Sequence, residues 1–179
     1  MNKIDRTKFF KSYPFRPLSQ SQVDNLNFIL DKMDASESLS LLSEYAYVLA
    51  TIKHETADTF APVTERGSQK YLRSKKYYPY IGRGYDQLTW KFNYEKFGKL
   101  LNLPLADNPE LANEPETAWK VLELGMTKGL FTGKKLGDYI TEEKHNFYNA
   151  RKIINGLDCA GLIQSYAEKY LEVLDWENS

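Results

Sequence analysis

Two glutamates, Glu55 and Glu65, stand ten residues apart in settings that differ in polarity. Leu41, Tyr45, Val48, Ile52 and Glu55 fall on one helical stripe at offsets of three or four residues. The first four are apolar, and the fifth is a carboxylic acid where the pattern calls for another core residue. Burial disfavours the charged form of such a group and raises its pKa, so it can donate a proton near neutral pH. Glu65 lies in a polar stretch beside Arg66, which favours the ionised form and suits a base that activates water. One proton donor and one proton acceptor are what glycosidic bond cleavage requires. The competing reading is a solvated helix end and a surface charge pair.

The elements that must hold these residues follow from periodicity and punctuation. The stripe predicts a helix over 41–55, then a polar loop with Pro62 and Gly67. Upstream, a short helix and turn near Lys8 to Phe15 are broken by Pro14 and Pro17. Ser19 and Gln22 form a capping box that opens a helix with Val23, Leu26, Phe28, Ile29, Leu30 and Met33 on one face. Downstream, 68–76 reads as a basic helical turn and 77–81 as an extended run shaped by Pro79. Gly82-Arg83-Gly84 turns the chain. Further helices are expected over 88–101, with Leu88, Phe92, Phe97, Leu100 and Leu101 apolar, and over 116–126. Residues 129–137 read as a turn. A helix over 147–154 stops at Asn155-Gly156, and a last helix carries Leu162, Ile163, Tyr166, Tyr170 and Leu174. The fold class is mainly α, with at most a small extended element.

Composition narrows the possibilities. The 179 residues suffice for one domain with a real core, and no repeat or linker divides them, so 1–179 is expected to be a single catalytic domain with no separate wall-binding domain. No stretch approaches the roughly 20 apolar residues of a membrane span. The first ten residues lack the apolar run of a secretory signal. Cys159 is the single cysteine, so no internal disulfide can form, as befits a reducing compartment. His54, His145 and Cys159 are too few soft ligands for a structural zinc site, and no phosphate-binding glycine loop is present. No metal and no cofactor are expected. Net charge is zero, yet residues 66–99 carry nine basic and two acidic side chains. That basic, aromatic-rich segment could face a polyanion, an anionic cell wall or nucleic acid, or be an ordinary solvated face.

The sequence also resembles the family 19 glycoside hydrolases, the chitinase-like branch of the lysozyme-like superfamily, and within it the compact bacteriophage endolysins. The motifs that carry this are Ala50-Thr-Ile-Lys-His54-Glu55-Thr56, Gly82-Arg-Gly-Tyr-Asp-Gln87-Leu88-Thr89-Trp90, Asn93-Tyr94, Asn108-Pro109-Glu110 and Ile153-Ile154-Asn155-Gly156, in that order across residues 20–175. The resemblance implies two helical lobes around a substrate cleft and an inverting mechanism. It implies Glu55 as general acid, Glu65 as general base, and Thr89 as the hydroxyl that helps hold the attacking water. Gln87, Asn93 and Asn155 match sugar-binding residues; Arg83 and His54 join them as candidate substrate contacts. Each has a plainer reading: Gln87 and Thr89 bonding a turn, Asn155 capping a helix, His54 bracing the loop, Arg83 holding the turn or pairing with a catalytic carboxylate. Trp90 and Tyr94 read as core rather than sugar platform. The chain departs from the plant pattern at Asp86, where an apolar residue is usual, and in the short interval from Glu55 to Glu65.

The expectation is an endolysin: a muramidase-like hydrolase of the β-1,4 bonds of peptidoglycan that causes host lysis. It would wait as a monomer in the host bacterial cytoplasm and act on glycan strands at an anionic envelope, without nucleic acid or stable membrane insertion. The alternatives are a chitinase and, from another class, a non-catalytic wall- or nucleic-acid-binding module.

Overall fold

In the computed structural model, which describes residues 2–178, eight α-helices and three short 3₁₀ segments carry the regular structure. The expected domain limits at 1 and 179 fall on residues outside that range. The helices are α1 (Arg6–Lys11), α2 (Gln20–Asp34), α3 (Leu42–Glu55), α4 (Gln69–Arg73), α5 (Lys91–Leu101), α6 (Pro115–Lys128), α7 (Phe147–Ala150) and α8 (Ala160–Val173). Among the described residues, β structure is limited to isolated bridges, Ile4 to Trp176, Arg83 to Leu88 and Ile140 to His145.

The local signals act as their chemistry dictates. Ser19 accepts from the Gln22 amide at 3.2 Å, and the Gln22 side chain accepts from the Ser19 amide at 2.8 Å. These bonds satisfy two donors that a helix start leaves open. At the start of α3, Glu44 reaches back to the amides of Ser40 and Leu41 at 2.9 and 3.0 Å. Residues 45–53 of α3 are all buried, so the helix is enclosed on every side rather than along one stripe. Helix α8 packs along it, with Ala160, Ile163, Ala167, Tyr170 and Val173 inward. This principal core also takes in α2 and one face of α6.

A smaller second core forms around Leu88, Tyr94, Phe97, Leu105, Ala112 and Val121. Helix α6 serves both, sending Ala118, Trp119, Leu122 and Met126 to the first and Val121 to the second. Phe131 packs against both as well. Two helical lobes joined in this way are the architecture the fold class anticipated.

Three expectations change. Residues 77–81 are not extended: Tyr78 donates to the Lys75 carbonyl and Tyr80 to that of Tyr77, closing successive turns. Helix α5 starts at Lys91, because residues 88–90 belong to the preceding turn, and Phe92 and Leu100 point outward. The helix expected over 147–154 tightens to 3₁₀ at Arg151–Ile153 before Asn155-Gly156 ends it.

Candidate active site

Glu55 is the last residue of α3, where the helix leaves the principal core. The chain then turns sharply through three non-glycine residues at positive φ, Ala57, Asp58 and Phe60. Thr56 fixes this exit. Its hydroxyl donates to the Ile52 carbonyl at 2.7 Å and accepts from the Phe60 amide at 3.0 Å. Strained backbone of this kind persists only where the surroundings over-determine it.

The acid is not left among apolar neighbours. Arg151, 2% exposed, donates from Nη1 to Glu55 Oε1 at 2.7 Å. Its Nε is committed to the Asp158 carbonyl at 2.7 Å. The apolar stripe therefore delivers Glu55 to a buried guanidinium that orients its carboxylate. Sequence reasoning passed over Arg151. It lies 96 residues away in a basic dipeptide, and the nearest hint was its place four residues before Asn155.

Glu65 is held by donors on both oxygens. The Tyr77 hydroxyl donates to Oε1 at 2.7 Å and the Gly82 amide to Oε2 at 3.1 Å. The Glu65 amide in turn donates to the Gly82 carbonyl at 2.7 Å, and the Val63 amide to the Gly84 carbonyl at 3.2 Å. The loop carrying Glu65 is thus laid against the Gly-Arg-Gly turn. The carboxylate pushes the Tyr77 phenol up to about 12, chiefly through their hydrogen bond.

The turn itself is braced from within. Gln87 donates from Nε2 to the Val63 carbonyl at 2.7 Å, and its backbone sits at φ 59°. A Cβ at Gly82 would lie 2.7 Å from Gln87 Oε1, so a side chain there would displace the Gln87 amide. Thr89 donates to the Gln87 carbonyl at 2.7 Å, and Asn93 donates to the Thr89 carbonyl at 2.9 Å. Gln87, Thr89, Trp90 and Asn93 line a cavity of about 160 Å³ with Asp86, Leu88, Phe131 and Ile154. The structure therefore gathers three of the expected residues, Gln87, Thr89 and Asn93, into one pocket. Gln87 spends its amide on the loop, so it contributes to the pocket through positioning. Asn155 follows Ile154 and is exposed; His54 adjoins Glu55, and its carbonyl accepts from Ala57.

Two expectations need correction. Arg83 does not reach into the pocket. It is buried, with Nη1 on the Pro79 carbonyl and the Tyr94 hydroxyl, both at 3.0 Å, and Nη2 on Glu110 at 3.1 Å. It holds the turn to the second core. Trp90 is not core: it is 45% exposed, with its ring against Tyr77 at 5.2 Å. Tyr94 is fully buried, as expected.

Asp86 carries a further carboxyl into this region. Its Oδ1 is buried without a hydrogen-bond partner. Burial pushes it up to about 7, opposed by a hydrogen bond from its own backbone amide and helped to a lesser extent by the Glu55 charge.

A mainly helical fold built on two packed cores is a lysozyme-like architecture. Comparison with known proteins makes this more specific. No protein-family model matches the chain. Two endochitinases of Arabidopsis thaliana are similar to it: one is 35% identical over 94 residues, covering 49% of this chain and 33% of the relative, and the other 30% identical over 140 residues, covering 72% and 46%. The chain thus spans less than half the length of either. Among solved structures, chitinase C from Streptomyces griseus superposes with a TM-score of 0.64 at 25% identity, covering 93% of this chain and 73% of that one. A bacterial family 19 chitinase superposes with a TM-score of 0.53 at 21% identity, over 94% and 92% of the two chains, and shares the fold. Sequence and fold together make the chain similar to chitinases, and it shares the fold of a bacterial family 19 chitinase. Among the described residues, no helix is long and apolar enough to cross a membrane.

Proposed function

We propose that this protein is a chitinase-type glycosidase that hydrolyses β-1,4 bonds between N-acetylated amino sugars, with Glu55 as acid and Glu65 as base. One observation carries this reading: two carboxylates are each held by named donors, one at the end of α3 and one against the Gly82 turn. Glu65 is fixed by a phenol and a backbone amide at Gly82. Glu55 is fixed by the buried Arg151. In the reaction, Glu55 protonates the glycosidic oxygen as the bond breaks. Glu65 takes a proton from a water that attacks the anomeric carbon from the opposite face. Thr89 orients that water, its own proton being given to Gln87 and its lone pairs left to accept. The resemblance of the motifs supports inversion, a single displacement with no covalent intermediate.

The similarity to proteins named as chitinases favours a chitin-like chain over the peptidoglycan that the sequence first suggested. One observation keeps peptidoglycan as a second reading. Lys70, Arg73, Lys76 and Lys91 are exposed, among the exposed rings of Tyr71, Tyr78, Trp90 and Phe92. Such a face suits a glycan that bears carboxylates on its stem peptides. Mass analysis of products from N-acetylglucosamine hexamer and from purified peptidoglycan, side by side, decides. Shorter reducing-end oligomers from the hexamer support the chitinase reading, and muropeptides with reducing ends support the lysin. Anhydro products would overturn hydrolysis, and no product from either would overturn glycosidase activity. An initial β-anomer would overturn inversion.

A further inference from the structure

A cavity of about 840 Å³ has no part in the reaction described above, and it is far larger than the Thr89 pocket of about 160 Å³. Phe15 and Arg16 line it from the segment after α1, Lys53 and Asp58 from α3 and its exit loop, and Tyr166 and Lys169 from α8. It lies away from the candidate catalytic groups. Lys53 and Glu55 are two residues apart on α3, so they leave the helix on nearly opposite sides, and Glu55 turns to Arg151. The charge of the lining is unbalanced, with Arg16, Lys53 and Lys169 against the single carboxylate of Asp58. Lys53, 7% exposed, gives one of its three donors to Asp58 and is held over the Phe15 and Tyr166 rings at 4.3 and 4.7 Å. Lys169 stands over the same Phe15 ring at 5.6 Å, so one ring gathers two ammonium groups. Neither Arg16 nor Lys169 has an ion-pair partner among the described residues. The wall is set in advance: Gln22 donates from Nε2 to the Asp58 carbonyl at 2.7 Å, and the Asp58 amide donates to the Lys53 carbonyl at 3.0 Å.

We propose that this cavity is a second, non-catalytic glycan-binding site that takes an acidic sugar, a pyranose bearing a carboxylate or a phosphate. Arg16 and Lys169 meet the anionic group, and Lys53, already paired with Asp58, adds its charge from behind. Charge-assisted hydrogen bonds from a guanidinium and an ammonium to such a group are the strong ones. The half-buried rings of Tyr13, Phe15 and Tyr166 offer apolar surface to the C–H face of the sugar. A preformed cavity of this size accommodates a ring together with its charged substituent. An inorganic anion would meet the cations and leave the rings and most of the volume unused. Asp58 is the single acid in the lining, so the pair of carboxyls that glycoside hydrolysis needs is missing and the sugar is held rather than cleaved. The inference goes beyond the glycosidase reading and stands whether or not Glu55 and Glu65 cleave a glycan.

The test is calorimetric titration of the full chain with N-acetylmuramic acid, N-acetylglucosamine 6-phosphate, N-acetylglucosamine and inorganic phosphate, with backbone amide shifts to locate each. An acidic sugar should bind, shift the amides of Phe15, Arg16 and Lys169, and lose affinity as salt rises. Arg16 and Lys169 are exposed, so Arg16→Ala/Lys169→Ala should fold as the wild type does. It should bind the acidic sugar at least about tenfold more weakly, having lost two charged donors. Glu55→Gln should give the same shifts and affinity at these amides as the wild type. Tighter binding of the muramic acid supports the site with a peptidoglycan unit as its ligand, and tighter binding of the sugar phosphate supports it with a phosphorylated envelope glycan. Inorganic phosphate binding as tightly as both acidic sugars overturns sugar recognition. N-acetylglucosamine shifting the same amides with equal affinity overturns anion recognition. No shift at these amides with either acidic sugar at tens of millimolar, or unchanged affinity in the double variant, overturns the site. Failure to cleave any glycan would overturn the glycosidase reading and leave these shifts in place.

Discussion

Glu55 and Arg151 show how a residue's environment outweighs its position in a pattern. With Arg151 2% exposed and the Glu55 side chain 16% exposed, the pair is largely shut away from water. Removing one member of such a pair leaves an uncompensated charge and typically costs about 3–5 kcal/mol. Arg151→Met should therefore destabilise the fold by that order in chemical denaturation, and Glu55→Gln/Arg151→Met should recover part of the loss. An Arg151→Met midpoint equal to wild type would mean that the pair is open in solution. Glu55→Gln alone keeps an oxygen for Arg151 Nη1 and should remain folded, though less stable, and lose at least 10²–10⁴-fold in turnover, the usual worth of general acid catalysis; lysis or oligomer cleavage at the wild-type rate would remove Glu55 from the mechanism. On the other acid, Glu65→Gln should cost more than Thr89→Val, because the base accepts a proton and the hydroxyl only orients. Their effects in a double variant should fall short of the sum, as for residues that act on one water. Strict additivity in kcat would separate them.

Among the elements, α6 and the turn after it have most leverage on the site. Gly125 faces Phe131, and a Cβ there would meet three ring atoms at 2.0–2.5 Å. Phe131 packs on both cores and also lines the Thr89 pocket. Replacing glycine by alanine within a helix gains up to about 1 kcal/mol of propensity, but overpacking costs about 1–3 kcal/mol. Overpacking should win, so Gly125→Ala should lower the melting temperature. It should also lower kcat/KM by forcing the ring toward the pocket. Adding Phe131→Leu, which removes the obstructing ring, should restore stability relative to Gly125→Ala. If Gly125→Ala alone raises the melting temperature, the ring yields freely and the two cores are less tightly coupled than the packing indicates.

At the scale of the molecule, the uneven charge becomes a face. Lys70, Arg73 and Lys76 are exposed on α4 and the turn after it, and the half-buried Lys75 lies over the Tyr71 ring, all close in sequence to Glu65 and its partner Tyr77. Attraction to an anionic wall would raise the encounter rate and weaken as salt shortens the screening length to about 8 Å at physiological strength. If peptidoglycan is the substrate, cleavage of whole walls should fall with salt, while cleavage of a neutral chito-oligomer should not. Reversing those four residues to glutamate should slow wall cleavage and leave the denaturation midpoint nearly unchanged. Equal wall rates for the reversed and native proteins would reduce the face to a solvated surface. Tight, salt-sensitive DNA binding by a protein that releases no sugar would instead favour the binding-module reading.

What the sequence determined by itself was mostly local. The Ser19–Gln22 box, the span of α3, the turn at Gly82-Arg83-Gly84 and the stop at Asn155-Gly156 rest on backbone donors, side-chain period and φ preferences a few residues apart. The resemblance of its motifs to a known family likewise singled out Gln87, Thr89 and Asn93, which share one pocket. Only the tertiary structure decided which charge meets which. Arg151 reaches Glu55 across 96 residues of chain, Arg83 turns inward to Glu110, and Tyr77 leaves the expected extended run to hold Glu65. Asp86 read as a departure from an apolar pattern; that its Oδ1 is buried without a partner is visible only in the folded chain. Periodicity reports which face of an element is buried. It carries no information about the partner that burial brings, because that partner comes from elsewhere in the chain, and its charge decides what a buried acid can do.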